Sequence, residues 1–412
     1  LKTNDYIQAA IPLFFVLIFL EALFSNWAKK NWFNLHDSLN NLACGALDQI
    51  LEVFYKSALF GVYLWLYSYR LTSLSETALW VWLLCFLGVD FGYYWFHRCS
   101  HRVWLVWAGH GPHHQSEEYN LTVALRQGML ERSFSWVFTL PLALLGFSPV
   151  VYLTCSQFQI IYQFFIHTRA IKTLGPLEWV MNTPSHHRVH HGKNPEYIDR
   201  NYGGVLIIWD RLFGSFEPER KEAVYGTVKA LKSWNPLWAH AVFFAEMAQA
   251  MRSLPWHQKL QVLWRPPGWN PQQAEPEIPP VEAQSYLKYK TPLDWGINLW
   301  LLLQFGICLG LSTLFLEQAP QWEMLQGIGA GLSLMLGFTA VGALNENKAW
   351  LTPFETVRIL LSLGVMILLP FPLLLKEGLS LWLLLSAALN LGLLQTPQFS
   401  KQNPAQDPQS AG

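Results

Sequence analysis

Residues 78–101 read ALWVWLLCFLGVDFGYYWFHRCSH. The run from Ala78 to Phe96 approaches the roughly 20 apolar residues that a helix needs to cross a ~30 Å hydrocarbon core. It passes without a break into His97 and His101. One helix thus carries both a membrane signal and the first metal-type side chains. This predicts an all-α chain, a polytopic membrane helical bundle with a histidine-rich helical cap. Two apolar runs precede this one, Ala9–Phe24 with Glu21 inside it and Leu47–Tyr69. In the latter, Asp48, Glu52 and Lys56 recur every four residues, so they share a face expected to point into protein or water. Ser135–Ile166 is interrupted by Gly146, Ser148 and Pro149 and reads as two short helices in a hairpin, with its depth in the membrane left open. Trp295–Leu316, Leu325–Leu344, Ile359–Leu375 and Leu379–Leu394 form a second membrane block.

Composition agrees. Of 412 residues, 52% are apolar and 14% charged, against about a quarter charged in soluble domains. Formal charge is zero, so there is no basic field to recruit nucleic acid. The 21 tryptophans suit a chain with many membrane–water boundaries. Cys44, Cys85, Cys99, Cys155 and Cys308 include no Cys-x-x-Cys pair and read as reduced core residues. No basic stretch or small-residue cleavage site precedes the first apolar run, which reads as a retained anchor helix. His167–Leu293 holds no window long enough to span, gathers prolines at Arg265–Pro280, and reads as aqueous-facing. Lys29, Lys30, Arg98, Arg102, Arg126, Arg132, Arg169, Lys172, Arg188 and Lys193 all fall on one side when the helices are counted. The positive-inside rule makes that side, with the histidines, cytoplasmic. The expected divisions are N-terminal membrane helices (1–77), a catalytic region (78–226), a cytoplasmic connecting segment (227–293), C-terminal membrane helices (294–395) and a disordered Gln/Pro-rich tail (396–412).

Eight of the thirteen histidines fall into three tight spacings. His97 and His101 form H-x-x-x-H. His110, His113 and His114 form H-x-x-H-H, and so do His187, His190 and His191. On a helix, positions i, i+3 and i+4 share a face, so each group is expected to project its imidazoles in one direction. A lone histidine near a membrane is more often a hydrogen-bonded core residue. Eight together would repel one another if protonated and lack partners if neutral, and a shared metal resolves both. One zinc uses three or four ligands, so eight imply two metals. No H-E-x-x-H is present, and nitrogen-rich sites suit iron, copper and zinc alike. Asp90, seven residues before His97, lies on the same face and is expected to orient a ligand, or else to pair with Arg98 or Lys56. Glu117, Glu118, Glu131, Asp199 and Asp210 are the other nearby carboxylates. His36, His240 and His257 stand outside any such spacing and read as surface or interface residues.

These residues resemble the fatty acid hydroxylase and sterol desaturase superfamily of membrane di-iron enzymes. DFGYYWFHRCSH (90–101) is similar to its D-x-x-x-Y-W-x-H-R-x-x-H pattern, HGPHH (110–114) and HHRVHH (186–191) to its second and third boxes, and NYGGVLIIWDRLFGSFEPE (201–219) to its trailing signature. Within it, WAGHGPHHQSEEYNLTVALRQG, YQFFIHTRAIKTLGPLEWVMNTPSHHRVHHGKNPEYIDRNY and ENKAWLTPFETVR look like the subgroup of tetrahydrobiopterin-dependent monooxygenases that cleave alkylglycerol ethers. The chain departs at Arg102, where that subgroup tends to carry an acid.

The resemblance implies that His97, His101, His110, His113, His114, His187, His190 and His191 hold two iron ions, with His167 and His186 as further ligands or pocket residues. It implies O₂-dependent hydroxylation of a membrane lipid, most closely at the ether-bearing carbon of an alkylglycerol, releasing a fatty aldehyde. Tyr93, Trp95, Tyr162 and Phe164 could line the lipid's path, although core packing is the usual role of such aromatics. No G-x-G-x-x-G after a strand, cysteine set for an iron–sulfur cluster or fused haem domain is found, so electrons come from an external reductant, a tetrahydrobiopterin or an electron-transfer protein. The alternatives are a hydroxylase or desaturase of a fatty acid, sterol or carotenoid, a membrane metal carrier or sensor, and a zinc hydrolase.

Overall fold

Backbone N–H and C=O groups find no water in hydrocarbon, so a spanning segment must satisfy them internally, and a helix does so within one segment. A computed structural model describes residues 5–272, 278–346, 348 and 350–394, and among them the regular structure is helical apart from two isolated bridges. In chain order the helices are α1 (Tyr6–Trp27), α2 (Leu35–Ser68), α3 (Leu79–Arg102), α4 (Trp104–His110), α5 (Arg132–Ser135), α6 (Leu140–Leu144), α7 (Pro149–Ile166), α8 (Pro184–His190), α9 (Ile208–Leu212), α10 (Pro236–Arg252), α11 (Trp256–Lys259), α12 (Trp295–Gln318), α13 (Met324–Asn345), α14 (Leu351–Leu368) and α15 (Leu373–Leu394). Seven are long and apolar enough to cross a membrane: α1, α2, α3 and α12 to α15. The chain is a multi-pass membrane protein, as its hydropathy predicts. The expected tail at 396–412 lies outside the described residues.

Three differences from the sequence reading have physical causes. Helix α2 starts at Leu35 rather than Leu47, because the Asn34 side chain accepts the N–H groups of His36 (2.9 Å) and Asp37 (3.1 Å). Its first turns carry buried polar residues, Asp37, Asn40, Asn41 and Asp48, which hide the helix from a search for apolar runs. The last two helices are divided at Leu369–Pro372 and not at Lys376–Gly378. Pro370 and Pro372 lack the N–H that would continue α14, whereas Lys376 is accommodated within α15 and donates to the Ile367 carbonyl (3.1 Å). The 135–166 segment does break near Pro149, but its first arm is shorter than expected, a run of single turns ending in α6. Gly146 turns the chain there at φ +95°, with no room for a Cβ against the Thr72 carbonyl, and Ser148 caps α7.

The chain divides into two compact units. The first comprises Leu1–Asp48, Phe54–Lys232 and Trp238–Tyr289 and holds all thirteen histidines. Within it, α3 packs against α7 around Val81, Cys85, Val89, Leu142, Phe147, Val151 and Cys155. The second comprises Gln49–Val53, Ser233–Leu237 and Lys290–Gly412. Its helices enclose a polar chain: Arg358 donates to Glu355 (2.6 and 3.0 Å) and to Ser386 (3.1 Å), Asn390 donates to Glu355 (3.2 Å), and Gln304 and Trp300 donate to Asn390 (2.8 and 2.9 Å). Polar groups in a span are stable only when paired, so this chain ties α12, α14 and α15 in one register. Arg358→Leu strands the Glu355 carboxylate and should cost about 3–5 kcal/mol, read as a lower thermal midpoint in detergent, with most of the loss recovered in Glu355→Leu/Arg358→Leu. Equal losses in the single and double variants would exclude pairing as the cause.

Candidate metal centre

Four elements deliver the histidines. The last turn of α3 presents His97 and His101. Helix α4 ends at His110 and tightens into a 3-10 turn, Gly111–His114, that carries His113 and His114. His167 caps α7, and α8 with its cap residue presents His187, His190 and His191. Nine of these imidazoles are buried in two groups, His97, His101, His110, His114 and His190 in one, His113, His167, His187 and His191 in the other. Within each group the facing nitrogens lie within 4.8 Å of one another.

This corrects the expectation that each box points one way. Residues four apart stay together, as His97 with His101, His110 with His114 and His187 with His191. The middle residue of each H-x-x-H-H crosses over, His113 to the second group and His190 to the first. The two groups are thereby interleaved. His167, isolated in sequence, joins the second group, with Nε2 at 3.0 Å from that of His187 and 3.2 Å from that of His113. His186 belongs to neither and packs edge-on against Phe216.

The outer nitrogens decide what the inner ones can do. His97 Nδ1 donates to the Tyr202 carbonyl (2.8 Å), His113 to Arg126 (2.7 Å), His167 to Gln163 (2.7 Å) and His190 to Arg200 (2.9 Å). A carbonyl can only accept, so each of these rings carries its proton on Nδ1 and presents a bare Nε2 lone pair inward. The 3.2 Å between Nε2 of His113 and of His167 therefore cannot be a hydrogen bond in the neutral state. The buried Nε2 atoms of His101 and His190 have no hydrogen-bond partner. Burial first, and the neighbouring histidines second, push His114, His167, His187 and His191 well below the usual imidazole pKa, and His113 down to about 4. Lone pairs converging from neutral rings fit a metal cation. Nε2 of His110 lies 3.1 Å from those of His97 and His114, so one cation could be held by all three.

Behind the rings, two carboxylates organise the trailing loop. Asp210 accepts the N–H groups of Tyr202 and Gly203 (both 2.7 Å). Asp90 accepts those of Val205 (2.7 Å) and Leu206 (3.1 Å) and the Trp209 indole (2.9 Å). Gly204 brings the loop so close that a Cβ there would meet Asp90, Tyr93 and Gln159. These contacts of Asp90 are with the loop rather than with an imidazole, Arg98 or Lys56, so it would act on His97 through the loop. It fixes the loop whose Tyr202 carbonyl holds His97. Glu131 and Asp199 do stand beside ligands, at 3.2 Å from His110 Nδ1 and 3.6 Å from His101 Nδ1. Burial raises both carboxyls, but the adjacent histidines outweigh it and leave each below its ordinary value. Glu117 and Glu118 turn elsewhere, to Tyr286 and Lys288. The carbonyls of Tyr202, Arg126, Gln163 and Arg200 could not be found from sequence, since any residue supplies one.

Of the four candidate tunnel aromatics, Tyr93 lies against His97, with ring centroids 5.1 Å apart. Trp95 packs on Phe213, Tyr162 donates to the Asn182 carbonyl and Phe164 stacks on Phe14. His257 is exposed as expected, but His36 and His240 are buried. His240 Nδ1 accepts the Met129 N–H (3.3 Å), so its place is interior rather than at a surface. All five cysteines are free.

The fatty acid hydroxylase family profile matches residues 82–215, the stretch containing every one of the nine clustered histidines. The alkylglycerol monooxygenase of Xenopus tropicalis is 38% identical over 373 residues, covering 87% of this chain and 81% of that protein. That of Homo sapiens is 37% identical over 370 residues, covering 88% and 82%. An ornithine lipid hydroxylase of Rhizobium tropici is 31% identical over 128 residues, 31% of this chain and 39% of that protein. No solved structure matches.

Two outcomes follow from the geometry. His113→Ala or His190→Ala should lower the metal bound per chain, measured by elemental analysis of purified protein, while His186→Ala and His257→Ala leave it unchanged. Equal loss at His186 and His190 would break the assignment of groups. Asp90→Asn should weaken metal retention against a chelator about ten-fold or more, because the carbonyl that orients His97 loses its support. Unchanged retention would remove Asp90 from the site.

Proposed function

The chain belongs to the alkylglycerol monooxygenase family of the fatty acid hydroxylase superfamily, and from that membership we propose that it hydroxylates the ether-bearing carbon of an alkylglycerol, using two iron ions held by the two histidine groups. It is a membrane monooxygenase that hydroxylates a lipid with O₂. The observation that supports the site assignment is the convergence of nine imidazoles in groups of five and four, in four of which an outward Nδ1–H bond leaves Nε2 bare. Iron is favoured over copper or zinc by family membership, the nitrogen donors being compatible with all three.

Breaking an unactivated C–H bond needs an oxidant beyond the reach of side chains, and iron with O₂ supplies one. The protein's own residues do the rest. Carbonyls and carboxylates behind the rings keep the imidazoles in the ligating tautomer. Burial excludes bulk water from the reacting oxygen. Tyr93, beside His97, is placed to meet the substrate near the first group. Hydroxylation at the ether carbon yields a hemiacetal, whose C–O bond to glycerol breaks as the hydroxyl proton moves to the departing oxygen, leaving a fatty aldehyde and glycerol. The remaining oxygen atom of O₂ leaves as water and needs two electrons, which a tetrahydrobiopterin or an electron-transfer protein delivers from outside. In this reading residues 78–226 form the catalytic region, with the histidine groups at the cytoplasmic face on the evidence of the basic residues flanking them.

Purified protein in nanodiscs, supplied with an alkylglycerol, O₂ and reduced tetrahydrobiopterin, should release fatty aldehyde, while a ferredoxin system in place of the pterin tests the other reductant. Absence of aldehyde from any ether lipid under both reductants would overturn the substrate assignment.

A further inference from the structure

Helix α3 has 24 residues, about 36 Å of rise, and so outreaches the hydrocarbon core. Its end is therefore at headgroup level. Immediately beyond it, Trp104 donates its N–H to the Arg265 carbonyl (2.8 Å) and packs with Met247 and Val262, with Leu105, Trp107, Leu254, Leu263 and Trp269 around them. The segment from Arg252 to Trp269 is thus bolted to the chain at the membrane boundary.

This segment shows an unusual surface. Val262 is wholly buried, yet Trp256, Leu260 and Trp264, four residues apart, are 81, 60 and 57% exposed. A soluble surface seldom leaves two tryptophans and a leucine open within nine residues. Between Glu246 and Glu275 there is no acidic residue, whereas Arg252, Lys259 and Arg265 are basic. Indole rings settle where one side is apolar and the other wet, and basic side chains beside them meet anionic headgroups.

We infer that Arg252–Trp269 is an interfacial anchor that lies in the headgroup layer and takes anionic phospholipid. Trp256, Leu260 and Trp264 enter the acyl boundary, and Arg252, Lys259 and Arg265 face phosphate or carboxylate groups. The whole of 167–293 reads as aqueous-facing in sequence because no window spans, but a segment lying along the surface needs no spanning window. The anchor is one residue layer from the metal centre. Trp107, part of the same core, sits 5.1 Å from the His101 ring and stacks on His114 at 5.6 Å. A lipid surface is thereby held beside the first histidine group.

Hydrogen–deuterium exchange of the full chain in nanodiscs tests this without reference to turnover. In phosphatidylcholine containing about 30% phosphatidylserine, amides of residues 256–264 should exchange at least about five-fold more slowly than in phosphatidylcholine alone, since each basic residue near an anionic surface contributes roughly that factor. Arg252→Gln/Lys259→Gln/Arg265→Gln should abolish the difference between the two lipids. Trp256→Ser/Leu260→Ser/Trp264→Ser should exchange fast in both. Peptides from α3 must keep wild-type protection in both variants, so that misfolding is not mistaken for lost anchoring. Wild-type exchange that is indifferent to phosphatidylserine, or lipid-dependent protection that survives the triple glutamine change, would overturn the proposal.

Discussion

A carbonyl oxygen accepts hydrogen bonds and cannot donate them, and the candidate metal centre rests on that asymmetry. When the Nδ1–H of His97, His113, His167 and His190 is committed to a carbonyl, the opposite nitrogen of each ring is a bare acceptor. These acceptors are aimed at one another in a dry interior. Each stranded acceptor costs about 1–3 kcal/mol, so several in contact would oppose folding unless a cation lies among them. An ion bound there would couple metal binding to local folding, since it would relieve the cost of bringing these acceptors together.

The carbonyls are held in place by groups far from the centre in sequence, which explains why the membrane helices carry polar residues. Arg126, whose carbonyl holds His113, is itself fully buried, with a side chain that donates to Pro112, Asn40, Asn41 (3.1 Å) and Gln115. Two of those partners lie on α2. Glu21 of α1 accepts the Leu121 N–H (2.8 Å) and the Thr168 hydroxyl, gripping the chain just after His167. Arg188 in the third box donates to Glu219 (2.6 and 2.8 Å) and to the carbonyls of Thr168, Ile171 and Lys172. Asp37 of α2 accepts the Ser116 hydroxyl (2.6 Å) and the Asn41 amide (2.9 Å), so the N-terminal spans brace the histidine groups as well as anchoring the chain, which accounts for Glu21 and Asp37 in them.

Sequence made the spans and eight of the nine clustered histidines legible for one reason, that both are periodic. Apolar runs of membrane length and imidazoles at four-residue spacing are local patterns. The start of α2 is hidden because its first turns are polar, and the end of α14 lies inside an apolar run because Pro370 and Pro372 break the helix without breaking the hydropathy. His167 was visible only by resemblance, having no neighbour at ligand spacing. The crossing of His113 and His190 between groups was not legible at all, because it depends on the tight 3-10 turn at Gly111–His114 and on α8 approaching from another direction. His186 shows the limit of resemblance, which offers it as a ligand or pocket residue, whereas it stands outside both groups against Phe216.

Arg102 follows His101 directly, and its surroundings show how a cation is held there. A cation beside a ligating imidazole would disfavour a neighbouring metal, but the Arg102 guanidinium meets Asp199 at 3.0 Å, and Asp199 in turn faces His101 Nδ1. Asp199 reaches that position from a left-handed backbone, φ +61°, in a turn that Asn201, also left-handed, ties to Glu217 by bonds of 2.7 and 2.8 Å. An aspartate tolerates such a conformation better than most side chains. The negative charge behind His101 is therefore supplied across space by the turn after the third box, and the arginine beside His101 serves as its counterion. The local charge beside His101 is thereby balanced.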